Sequence, residues 1–132
     1  MNIQIPISVG EFLDRLTILE LKYEHAPDGA LKDGIQNQIN QFNDAAAPVA
    51  AIFEPLTPLR RELSAINAQL WTVEDDLRAK ESAQQFDEEF ITLARSVYRL
   101  NDQRAAIKKQ MDQQVGSDFS DAKIYRIAPP EG

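Results

Sequence analysis

The sequence has no cysteine. That absence removes disulfides, thiolate metal sites and cysteine nucleophiles together. Histidine occurs once, at His25, outside any Glu-x-x-His spacing, which argues against a di-iron carboxylate bundle and against a zinc site. Next to a helix end, His25 reads instead as a partner for the helix C-terminus. Glycine is scarce, and nothing in its placement builds a phosphate loop or a nucleophile elbow. No apolar run is long enough to cross a bilayer. The start, Met1-Asn2-Ile3-Gln4-Ile5-Pro6, lacks the basic residues and apolar stretch of a signal peptide. A cytoplasmic protein without membrane insertion is the expectation. Positive charge is also short: 14 bases stand against 21 acids, a formal net charge of -7. A field of that sign repels phosphate backbones, so nucleic acid is not an expected partner.

What is present is an ordinary globular composition. Hydrophobic residues make up 43% of 132 residues, too many for a disordered chain and enough for a core. Length predicts one domain, 1–132, with an extended lead-in over 1–7 and an extended tail over 117–132. The patterning is all-α. Residues 2–7 alternate polar and apolar, and Pro6 confines them to an edge or lead-in. Ser8-Val9-Gly10-Glu11 is a capping box, in which the Ser8 hydroxyl accepts from the Glu11 N–H while the Glu11 carboxylate reaches back to the Ser8 N–H. Ile7 and Phe12 flank it as a hydrophobic staple, so a helix starts at Val9. Val9, Phe12, Leu13, Leu16, Leu19 and Tyr23 form its apolar stripe, widened by Ile18 and Leu21. Ala26-Pro27-Asp28-Gly29 stops it. Asp28 is placed to cap a second helix with Leu31, Ile35, Ile39, Phe42 and Ala46 inward, closed by Pro48.

Thr57-Pro58 reads as a cap with proline at the first helical position. Leu59, Leu63, Ile66, Leu70, Val73 and Leu77 then repeat at steps of four and three. After Ser82-Ala83-Gln84-Gln85 the rhythm resumes with Phe86, Phe90, Leu93, Val97, Leu100, Ile107 and Met111. Sustained four-three spacing is a coiled-coil seam. The short link predicts an antiparallel hairpin of about 58–82 against 86–114, packed by the two N-terminal helices into a helical bundle. Gly116 is a natural stop. Lys123-Ile124-Tyr125-Arg126-Ile127 has strand composition and could pair with residues 3–7 in a short two-stranded ribbon.

Several polar clusters could carry chemistry. Glu74, Asp75 and Asp76 sit one turn before Arg78 and two before Glu81 on the third helix, either as an acidic metal or diphosphate site with a cationic neighbour or as surface ion pairs. Arg95, Tyr98 and Asp102 share one face of the fourth helix, and Asn101, Arg104 and Lys108 share the next. Arg104 takes a seam position between Leu100 and Ile107. Such a set could hold an anionic small molecule or act as a buried network fixing the hairpin register. Asp14, Arg15 and Lys22 on the first helix are secondary candidates, with an interhelical ion pair the plain reading of the first two. Trp71 is either buried in the hairpin groove or a stacking platform.

Three stretches, Ile5 to Lys22, Leu70 to Arg78 and Phe86 to Lys108, resemble a family of small bacterial proteins of unassigned function, a numbered domain of unknown function. The resemblance covers nearly the whole chain and implies no established activity. It does imply companionship with surface-polysaccharide and glycosyltransferase genes, and that the three stretches belong to one site or interface. Two functions of different class are open. The first is a non-catalytic binding or adaptor domain, a homo-oligomer or the companion of a protein partner, needing no cofactor. The second is a small helical enzyme acting on an anionic metabolite. Chorismate-mutase-like chemistry would use Arg15, Lys22, Arg78 and Arg104. A magnesium-dependent nucleotide pyrophosphatase would use Glu74, Asp75 and Asp102. Neither family's spacing is met in full, so both remain analogies.

Overall fold

The computed structural model describes residues 1–117. The expected tail strand at 123–127 lies outside them, and residues 3–7 form no strand. Among the described residues there are four α-helices, joined in the middle by two short 3-10 turns.

Helix α1 runs Val9–His25 and begins as the sequence dictates: the Ser8 hydroxyl accepts the Glu11 N–H at 3.0 Å. The reciprocal half of the capping box is not made. The Glu11 carboxylate turns instead to Arg15 and Lys108. Pro27 ends α1. Helix α2, Ala30–Ala46, is capped by Gly29 rather than Asp28, with no side-chain bond at the cap. Gly29 sits at φ 130 and ψ -159, a region reserved for glycine, and this backbone turn takes over the reversal expected of an Asp28 cap. Asp28 pairs with Lys32 at 3.6 Å instead.

Helix α3 spans Thr57–Ser82 and α4 spans Glu88–Val115. Thr57 is already helical. The chain enters through the 3-10 turns at 47–52 and 54–56, and the Thr57 hydroxyl donates to the Glu54 carbonyl rather than capping. At the far end Asp87 caps α4 by accepting the Phe90 N–H at 2.9 Å. Phe86 therefore belongs to the turn, 53% exposed and edge-on to Phe90 at 5.2 Å; the seam resumes only at Phe90. Partners along the two helices run in opposite order. Gln114 donates to the Pro55 carbonyl, Arg104 to Asn67, and Lys80 pairs with Glu89. That order defines an antiparallel pair.

One apolar cluster joins Leu13 and Leu16 of α1, Leu56, Leu63, Ile66 and Leu70, and Leu100, Ile107 and Met111 of α4. Leu56, Leu63 and Met111 have no exposed surface. Helix α2 leans on this core with Ile39 and Phe42, the latter 5.1 Å from the Phe12 ring. Beyond Leu70 and Leu100, out to the turn, no hairpin residue is fully buried.

Candidate functional site

Two places concentrate unusual chemistry: a polar cluster inside the three-helix junction, and an open cleft where α1 ends.

The cluster forms because α1 approaches α4 very closely. Gly10 permits this, since a Cβ there would stand 2.5 Å from the Lys108 carbonyl oxygen. The Gly10 N–H, left free by the first turn of α1, donates to Asp112 Oδ1 at 2.7 Å. One turn on, Lys108 Nζ meets Glu11 Oε2 at 2.5 Å and Asp14 Oδ2 at 3.6 Å. Arg104 Nε lies 3.8 Å from Asp14 Oδ2. Asn67 of α3 closes the ring, its amide N–H donating to Asp14 Oδ1 at 2.9 Å and to Thr17 Oγ1 at 3.0 Å. The Thr17 hydroxyl donates to the Asp14 carbonyl. Asp14, Thr17, Asn67 and Asp112 are all buried. Burial alone would raise the Glu11 pKa, but hydrogen bonds from Lys108 and Arg15, and their charges, hold it down at about 2. Glu11, Asp14 and Asp112 are matched by Arg15, Arg104 and Lys108, so the cluster carries no formal net charge. Among the described residues no buried side-chain nitrogen or oxygen lacks a hydrogen-bond partner. A saturated, neutral network of this kind fixes which helix faces meet.

The sequence candidates divide among three places. Asp14, Arg15 and Arg104 join the cluster, and Asp14 makes the interhelical ion pairs; Arg15 pairs within its own helix, with Glu11. Glu74, Asp75, Arg78, Arg95 and Tyr98 stand exposed on the outer hairpin, and Asn101 and Asp102 are half-buried on α4. The Tyr98 hydroxyl is held below its ordinary pKa by hydrogen bonds from Arg95 and Arg99. Lys22 and Trp71 belong to the cleft. Asn67, Thr17 and Asp112, central to the cluster, carry no signal in sequence, because each sits one position beside an apolar stripe where surface polar residues also sit. Among the described residues no group of three or more His, Asp or Glu is placed to hold a metal, and no helix is long and apolar enough to cross a membrane.

The cleft encloses about 630 Å³ between the end of α1, the first half of α2 and Trp71 of α3. Pro27 and Gly29 set α2 back against α1, and Ala26 after the end of α1, with Ala30 and Gly34 one turn apart on α2, leave the floor bare. A Cβ at Gly34 would meet nothing within 4 Å. The wall is a stack: the His25 ring lies 4.4 Å from the Trp71 ring at 27°. His25 is fixed by Nδ1, which donates to the Leu21 carbonyl at 2.8 Å and so meets the end of α1 as expected. Leu31 stands at the rim, 63% exposed. Lys22, His25 and Gln38 supply the polar groups, and no acid lines the cleft, in a chain with 21 of them.

Fold and site together define an all-helical protein in which an apolar cleft opens beside a closed polar junction. The chain belongs to a family of unknown function, DUF6165, whose match spans residues 3–130. No curated protein and no solved structure matches it.

Proposed function

We propose that the chain is a non-catalytic binding or adaptor module that seats an apolar segment of a protein partner in the cleft. The observation that carries this reading is the cleft itself: apolar, free of acids, floored by small residues and rimmed by exposed Leu31. Apolar concavities with a few convergent polar groups are the usual form of a binding site, and an exposed leucine beside one is the anchor a partner segment would cover. The polar junction supports the same reading from the other side. Its acids and bases already neutralise one another, so it offers no spare cation to an anionic metabolite and no free base. The companionship with surface-polysaccharide and glycosyltransferase pathways implied by the family resemblance belongs to this proposal as its setting.

The test places the photoreactive residue p-benzoylphenylalanine at Leu31, or at the exposed control position Gln69, in full-length protein expressed in its native host. Illumination is expected to give adducts of one or a few discrete masses from position 31 and none from position 69. Equal, diffuse labelling from both, or none from position 31, would overturn the reading.

A further inference from the structure

The cleft continues into a second hollow of about 340 Å³, where Arg15, Ile18 and Leu19 of α1 meet Gln41 and Phe42 of α2. Lys22 and Gln38 line both hollows, so they form a ridge across one continuous groove. No acid lines either part. From Ile18 to His25 on α1, and from Gln41 back to Gly34 on α2, the step between the hollows is seven residues, roughly 10 Å along a helix. The groove as a whole, from Arg15 to His25, runs roughly 15 Å, or three turns. Its two cations differ. Arg15 is already paired with Glu11 at 2.8 Å, whereas Lys22 is exposed on the ridge and makes no ion pair among the described residues.

Resting on the reading of the cleft given above, we infer that its occupant is an amphipathic helix of a protein partner, with two apolar anchors seven residues apart and a carboxylate between them. Two hollows about 10 Å apart match side chains at i and i+7, which share one face of a helix. An extended segment needs an open sheet edge for its backbone N–H and C=O groups. Among the described residues there is no strand, and the groove is walled by helices. A helix satisfies its own backbone and asks only for places to seat its side chains. One anchor enters between Leu31 and the Trp71–His25 stack over Gly34, and the other rests on Ile18, Leu19 and Phe42. The residue at i+3 or i+4 then lies over the ridge, where an acid finds the unpaired Lys22 and a base would set like charges together. The chain's own start, Met1 to Ser8, has no acid and lacks the group that would answer Lys22.

The test places p-benzoylphenylalanine at Leu31 or at Gln41, one beside each hollow, in full-length protein in its native host. Tandem mass spectrometry then maps the labelled residues on the partner. Both positions are expected to label one segment, at sites two to three helical turns apart (roughly 7–11 residues), with an Asp or Glu between them. Lys22→Glu is expected to cut both yields at least about tenfold, and Lys22→Arg to keep them within about twofold, with circular dichroism unchanged in each. Yields indifferent to Lys22→Glu, sites on unconnected segments, or adducts only within this chain or to a second copy overturn the inference. If position 31 still gives discrete adducts to another protein without that spacing or charge dependence, the cleft binds a partner of other chemistry and only the helix is wrong. If neither position gives adducts, the binding reading falls as well.

Discussion

Lys108→Met removes the cation at the centre of the junction while keeping most of its apolar stem. The Glu11 carboxyl falls from its ordinary 4.5 to about 2 in the folded chain. A shift of that size is worth at most about 3.4 kcal/mol of stability at neutral pH, at 1.36 kcal/mol per unit. Arg15 shares the work, and the Glu11 side chain is 20% exposed, so solvent screening takes part of it. Assigning Lys108 about half leaves roughly 1.5–2 kcal/mol, with a further fraction from its contact with Asp14. The sign is fixed by linkage. A carboxyl whose pKa is depressed on folding contributes fully above its unfolded value, and that contribution fades as pH drops from about 4.5 through about 2. Urea titrations followed by far-ultraviolet circular dichroism at pH 7 and pH 2.5 measure both ends. The variant is expected to be about 2 kcal/mol less stable at pH 7, with less than half of that difference left at pH 2.5. Equal losses at the two pH values would refute the electrostatic reasoning, and a loss under about 0.5 kcal/mol at pH 7 would show that the junction contributes little.

Two glycines should respond oppositely to alanine. Gly10→Ala, which drives a Cβ into the Lys108 carbonyl, is expected to cost about 1–3 kcal/mol. Gly34→Ala meets no atom within 4 Å and should gain roughly 0.5–1 kcal/mol; thermal melts separate the two. Asn67→Ala withdraws the amide that donates to Asp14 and Thr17 and is expected to cost about 2–3 kcal/mol in the same titrations. Glu74→Gln, Asp75→Asn and Arg78→Ala, all exposed on α3, should each stay within about 0.5 kcal/mol of the parent protein.

The helices were legible because their signals are local. Ser8, Pro27 and Gly116 mark boundaries through backbone sterics and caps, and steps of four and three mark the faces that α3 and α4 turn to each other. Phe86 misled because an aromatic at the right interval looks like seam. Asp87, one residue later, ends the turn by capping α4, and a cap outweighs one more apolar contact. The junction was half legible. Arg104 stands out at a seam position of the fourth helix and Asp14 as a charge beside the apolar stripe of the first. Their meeting depends on how α1 is rotated against the hairpin, which Gly10 settles by close approach and no spacing within one helix encodes. The cleft was the least legible feature, since it is built from what Ala26, Ala30 and Gly34 leave empty. Lys22 and Trp71 pointed to it only singly.

On the proposed function the cleft, and not the polar junction, is the working surface. Gly34→Leu extends into the cleft from a position where an added Cβ meets no atom within 4 Å. Combined with p-benzoylphenylalanine at Leu31, it should cut the yield of discrete adducts at least about tenfold without lowering the melting temperature. Undiminished adducts from a chain that is folded and plugged at Gly34 would contradict the account.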